Sequence, residues 1–200
     1  MTYHDKTLLS CESVDIGGFK TKSFKVAKGS VYIMLFGAAE ELVFKLTEEI
    51  PTENISLVNY GGMSKQIPKW TNTYYQKTLK ANKKEFVTYC RNFYHLNIGR
   101  IISFTDSIIL SMIEELSYKN LVFVGLGGLD WNGIEKIYRV AEMLVGMNKD
   151  KSIVFIQGNT NEITFPEFVL SELTGKDIDI REWMFKTGMK NNNVEFGLKL

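Results

Sequence analysis

Residues 121–133, Leu-Val-Phe-Val-Gly-Leu-Gly-Gly-Leu-Asp-Trp-Asn-Gly, are where the residue types of this chain come closest to doing chemistry. They read as a buried strand, a glycine-rich turn and, from Ile134 to Leu144, an amphipathic helix. A strand that feeds a helix through glycines offers backbone N–H groups and the positive end of a helix dipole. α/β proteins bind phosphates at such turns. Hydrolysing a nucleotide there also takes carboxylates to hold Mg²⁺ and activate water. Gly125 and Leu126 stand at the carboxyl end of the strand instead. The frame of a phosphate site is present and its acids are missing.

Other chemistry-bearing residues are scattered. His4 and His95 are the only histidines and have no carboxylates at ligand spacing. A metal needs three or four converging ligands, so both read as surface or partly buried side chains and no metal site is expected. Cys90 and His95 are offset by i, i+5 and fall on different faces of a helix, which does not make a nucleophile pair. Cys11 and Cys90 form no CxxC motif and read as reduced thiols of a cytosolic protein. Phe86, Tyr89, Phe93 and Tyr94 recur at helical spacing. That pattern reads as core or as a surface for a partner helix before it reads as a platform for stacked bases.

The chain has 200 residues, 44% hydrophobic and 24% charged, with three prolines. That is the composition of one ordinary globular domain with a core large enough to need no staples. A formal charge of +1 gives no nucleic-acid footprint. Lys77, Lys80, Lys83 and Lys84 read as a solvated surface. Neither a signal peptide nor a run of some 20 apolar residues is visible, so any work at a membrane is expected to go through a partner.

The glycine turn must be held by flanking strands and helices, and these are readable. Val14, Ile16, Phe19, Phe24 and Val26 fit two or three short antiparallel strands, and Lys28-Gly29 a turn. Residues 31–36, 55–60, 121–124 and 152–156 read as strands. Residues 40–50, 107–116 and 134–145 carry helical periods, and Pro51 stops the first. Residues 64–100, rich in Lys, Asn and Tyr, read as a helical insertion. The tail, with Phe165, Pro166, Phe168, Val169, Leu170, Trp183, Met184 and Phe185, is expected to pack on the core as helix and loop. Strand–helix alternation from 31 to 157 implies a parallel sheet with helices on both faces.

In this order the segments resemble the ATP-binding subunit of ABC transporters, in particular exporter-type members. Residues 8–36 resemble the family's opening antiparallel strands and the strand before its phosphate loop. Gly61-Gly62 matches a turn between edge strands, and residues 84–96 resemble the start of the helical subdomain. Gly128-Leu129-Asp130 with Gly133 resembles the segment after the catalytic strand. Residues 152–156 resemble the last conserved strand, and Asn161-Glu162-Ile163 the stretch after the switch histidine. The resemblance spans residues 8–165. It implies a P-loop NTPase-like, ABC ATPase-type α/β fold in one domain over 1–200, with an antiparallel N-terminal edge and a reduced helical subdomain over 64–116.

The departures fall on the chemistry. A phosphate loop reads G-x-x-x-x-G-K-[ST]. Gly37 keeps the first glycine, but Leu42, Val43 and Phe44 stand in place of the glycine, lysine and hydroxyl. Glu40 and Glu41 would repel a triphosphate, and Lys45 comes two positions late. Gly125 and Leu126 replace the Asp-Glu of the catalytic strand, Gln157 or Gly158 lies nearest the switch histidine, and Phe104-Thr-Asp-Ser107 carries no signature glycines ahead of the helix at 107–116.

The resemblance with four losses implies a pseudo-ATPase without cofactor or catalytic residues. Such a subunit would pair with an active ATP-binding subunit, a membrane permease, or a second copy of itself. Gly128, Leu129 and Asp130, with Phe86, Tyr89, Phe93 and Tyr94, are the candidate interface. Its expected place is cytoplasmic, peripheral to the membrane through that partner. Two alternatives remain: a freestanding regulatory protein, and a metal-dependent nuclease or phosphotransferase. The second rests on a resemblance of residues 127–133 to the strand end of Toprim-type enzymes, with Asp130 and Glu40 or Glu41 as ligands. Asp130 also reads simply as the N-cap of the helix beginning near Asn132.

Overall fold

The computed structural model describes residues 6–13, 15–16, 19–35, 55–58, 88, 91–92, 103–157, 169–176, 178–180, 182–184 and 186. The expected helix over 40–50, nearly all of the expected insertion over 64–100, and Phe165, Pro166, Phe168 and Phe185 of the tail lie outside these residues.

A five-stranded sheet organises the fold. Its strands are β5 (Val31–Leu35), β6 (Ile55–Val58), β7 (Leu121–Gly125), β8 (Ser152–Gln157) and β9 (Val169–Glu172), in the order β6-β7-β8-β5-β9. The pairs β6–β7, β7–β8 and β5–β8 are parallel, while β9 runs antiparallel along β5. Every residue of β5, β7 and β8 is buried, as the unbroken apolar runs of the sequence require. Successive side chains go to opposite faces. Val122 and Val124 enter one hydrophobic cluster, Leu121 and Phe123 the other.

One face is covered by α1 (Phe104–Tyr118) and α2 (Trp131–Met147). Both helices pack on each other and enter the same hydrophobic cluster, so they lie on the same side of the sheet. Ile109, Leu110, Met112, Ile137, Ala141 and Val145 are sealed there against the sheet. The opposite face is covered by β1 (Thr7–Cys11) and β4 (Phe24–Ala27), an antiparallel pair, with the short pair β2 (Asp15–Ile16) and β3 (Phe19–Lys20) beyond it. In β4 Phe24 and Val26 are buried and Lys25 is exposed, the alternation of a sheet wet on one side. The expected antiparallel N-terminal edge is therefore present.

The layers are stitched by polar side chains. Ser152 Oγ donates to Ala27 O (2.7 Å), and Ala27 N–H donates to Tyr32 Oη (3.1 Å). Lys151 Nζ donates to the carbonyls of Leu116 and Lys119, closing the C-terminal end of α1. Burial pushes this ammonium below its ordinary value of 10.5, and Asp150 pulls the other way.

Two expectations are corrected. Val169 and Leu170 lie in strand β9, not in helix or loop, because the outer edge of β5 offers its backbone groups for pairing. The tail does pack on the core: Leu173, Ile180 and Met184 are buried in the helical-side cluster. Residues 104–106 are the first turn of α1, which starts ahead of the expected 107. Ser103 supplies the cap, its Oγ accepting from Asp106 N–H (3.1 Å) while its carbonyl accepts from Ser107 N–H (2.9 Å).

Candidate functional site

The carboxyl ends of β5, β7 and β8 lie side by side, with Leu35 paired to Gln157 and Gly125 to Ile156. This is the edge at which α/β sheets bind ligands. At the end of β7 the ladder continues one residue further: Leu126 N–H donates to Ile156 O (2.9 Å). The Leu126 side chain is 2% exposed, in the cluster beneath α1 and α2. Gly125 and Leu126 thus fill the position where a catalytic strand would present acids with a backbone bond and an apolar plug.

The chain then turns at Gly127-Gly128, and Leu129 N–H closes the turn on Leu126 O (3.3 Å). Gly128 has φ +77°, a conformation that only glycine adopts freely. A Cβ there would also come within 3.5 Å of the Phe104 ring. Asp130 Oδ1 accepts from Gly133 N–H (2.7 Å), so the one carboxylate of the turn is the N-cap of α2. The helix starts at Trp131, one residue before the expected Asn132.

Gly133 itself is buried where the first turns of α1 and α2 meet. A Cβ on it would stand 2.8 Å from Thr105 Oγ1 and 3.0 Å from Asp130 Oδ1. Close by, Lys136 Nζ of α2 lies 2.6 Å from Asp106 Oδ1 of α1, and the Asp106 side chain is only 4% exposed. This ion pair escaped the sequence reading. Its only signal is the Ser103-x-x-Asp106 spacing of a helix start.

Of the candidate interface, Gly128 and Asp130 are exposed and Leu129 is half-buried against the helical cluster. Phe86, Tyr89, Phe93 and Tyr94 lie outside the described residues, as do Gly37, Leu42, Val43 and Phe44, and with them Glu40, Glu41, Lys45, Cys90 and both histidines. Gln157, beside the expected switch position, is buried at the end of β8. Among the described residues no three His, Cys, Asp or Glu side chains converge to hold a metal ion, and no helix is long and apolar enough to cross a membrane.

The described part of this edge does not fit a Mg²⁺-nucleotide. Phosphates have the exposed turn at Gly127-Gly128 to approach, but the end of β7 supplies neither a carboxylate nor a hydroxyl for the ion.

No protein-family model matches the sequence, and no curated protein matches it. Among solved structures the chain is similar to CbiO1 from Clostridium perfringens, part of the ABC transporter complex CbiONQ, at 13% identity over 77% of this chain and 79% of that one, with a TM-score of 0.50. It is also similar to an RNase-L inhibitor at 14% identity and a TM-score of 0.45, spanning 34% of that longer protein. At such identities the likeness is one of fold. The strand order, the helices packed on the parallel sheet and this likeness together give the chain a P-loop NTPase-like α/β fold, similar to that of ABC ATPase domains.

Proposed function

We propose that the protein is a non-catalytic ABC ATPase-like subunit that pairs with an active ATP-binding subunit, a membrane permease, or both, and thereby completes a transporter complex. The observation that carries this reading is the end of β7. Gly125 and the buried Leu126 occupy the acid positions, and Asp130 Oδ1 is committed to the α2 cap. A carboxylate cannot be supplied there by a rotamer change, because Leu126 is fixed by its bond to Ile156 and by the core around it. The sequence at 37–44 adds to this, since it lacks the lysine and hydroxyl of a phosphate loop.

In this proposal the glycine turn is kept as a structural start for α2 and as part of a protein-facing surface. The role in a transporter is supported by the fold and by a similar chain, CbiO1, that is part of such a complex.

The test is nucleotide turnover by the purified chain, alone and mixed with the proteins that co-purify with it from its native cell. The expected result is no ATP hydrolysis above background by the chain alone, and co-purification with a permease or an ATP-binding subunit. Mg²⁺-dependent turnover by the chain alone, abolished in Lys45→Ala, would overturn the proposal.

A further inference from the structure

The opposite edge of the sheet, where β5, β7 and β8 begin, gathers lysines from four separate parts of the chain. Lys28 N–H donates to Lys6 O (2.6 Å), Gly29 N–H donates to Lys151 O (3.0 Å), and Lys151 Nζ reaches Lys119 O (3.1 Å). The backbone of Lys149 lies against Gly29, its carbonyl 3.1 Å from where a Cβ would be. Lys6 and Lys149 are exposed and Lys28 and Lys119 half-buried. Among the described residues, the acids near this corner include Asp150, Glu172 and the buried Glu115, whose carboxylate accepts from Ser56 Oγ. Asp150 makes a loose 3.9 Å contact with Lys28 and acts on Lys151, from a carboxylate that is 79% exposed. The Glu172 carboxylate accepts from Ser30 Oγ (2.5 Å), and Lys176 Nζ donates to the Glu172 backbone carbonyl (2.6 Å). Among the described residues, Lys6, Lys28, Lys119, Lys149 and Lys151 outnumber the three acids and leave this corner net positive.

Large apolar side chains stand beside it. Tyr118 (59% exposed) and Met147 (56% exposed) end α1 and α2, which run parallel and finish at this edge of the sheet. The corner is built from turn tips and helix ends. Tyr118 directly precedes Lys119 and Met147 stands two residues before Lys149, so an exposed aromatic and a thioether accompany the lysines as interfacial anchors do.

We propose that this corner docks on an anionic lipid surface, with Lys6, Lys28 and Lys149 facing the headgroups and Tyr118 and Met147 entering the interface. Charge complementarity selects the occupant. Juxtaposed lysines gain from the negative potential of an acidic leaflet, and an otherwise near-neutral chain gains no general affinity for polyanions. The inference does not rest on the loss of catalysis, since an active ATPase with this corner would dock in the same way.

Sedimentation of the full chain with phospholipid vesicles, without nucleotide, tests it. Binding is expected to vesicles with about 30% phosphatidylserine, with little to phosphatidylcholine alone, and is expected to fall away as salt rises from about 0.1 to 0.5 M. Lys6→Gln with Lys149→Gln should weaken it about 25-fold, roughly fivefold per charge. Lys6→Glu with Lys149→Glu should weaken it further. Tyr118→Ser should weaken it at every salt concentration, and Lys22→Glu, at the far end of β4, should leave it unchanged. Circular dichroism checks that each variant is folded, and the neutral pair gives the reading if the reversed pair is not. Equal partition to both vesicle types, unchanged partition of the lysine variants, or retention of an acidic peptide or DNA through these lysines without lipid binding would overturn the proposal.

Discussion

Gly133 has no room for a side chain, because the first turns of α1 and α2 close on it from two sides. Thr105 Oγ1 would lie 2.8 Å and Asp130 Oδ1 3.0 Å from an added Cβ. Alanine would gain about 1 kcal/mol of helix propensity. That gain is outweighed by overpacking, about 1–3 kcal/mol, and by disturbance of the cap, about 1 kcal/mol. Gly133→Ala is therefore expected to lower stability by about 1–3 kcal/mol in urea denaturation. Asp130→Ala should cost about 1 kcal/mol through the lost cap. Because the Asp130 carboxylate is one of three groups in the way, with Thr105 Oγ1 and Leu129 Cδ2 (3.3 Å), Gly133→Ala should cost less in the Asp130→Ala background. Additive costs would mean that Thr105 and Leu129 make the contact without Asp130. The cap was legible in the sequence, since an aspartate directly before a helical period has one common use. The need for Gly133 was not, because Thr105 arrives from a different helix.

At the scale of elements, α1 and α2 are bound by apolar packing and by one ion pair. Asp106 in the first turn of α1 meets Lys136 on the second turn of α2, and the pair fixes the two helix starts that shape the glycine turn. Removing only the cation leaves a buried carboxylate without its charge partner, which costs about 2–3 kcal/mol. Lys136→Met should accordingly lower the unfolding midpoint. Adding Asp106→Asn should recover part of the loss, because a neutral amide tolerates the same burial better. Thermal unfolding of the two variants separates this from a solvated pair, for which both would lie within about 0.5 kcal/mol of the parent. Sequence periodicity found both helices but began α1 late. Phe104, 51% exposed, adds nothing to the buried stripe, so the first turn is held by Ser103 and Asp106 and not by packing. The edge strand β9 was missed for a related reason. Val-Leu-Ser-Glu has no alternation to recognise and becomes a strand through the neighbour it finds.

For the whole molecule, the runs at 31–35, 121–125 and 152–157 announced themselves because strands covered on both faces are continuously apolar. Their order could not be read from those runs. The reading of Gly125 and Leu126 as acid positions rests on the resemblance to ABC ATP-binding subunits and not on any pattern of their own. The tail shows what pattern alone leaves out. Through β9 it makes β5 an interior strand, and through Leu173, Ile180 and Met184 it closes the cluster beneath the helices. A chain truncated before Val169 would expose the outer edge of β5, a five-residue row that is wholly apolar but for the Tyr32 hydroxyl, and would open the core. Such a chain is expected to aggregate or to bind a hydrophobic dye. In the full-length chain Met184→Ala should cost about 2–4 kcal/mol, because the side chain is only 1% exposed. A truncated chain that stayed monomeric and melted cooperatively near the parent temperature would show the tail to be an accessory. The pairing of β9 with β5, and the burial of Met184 in the cluster that holds Val31, Ile33 and Leu35, argue instead that the sheet is complete only when residues 169–184 have docked.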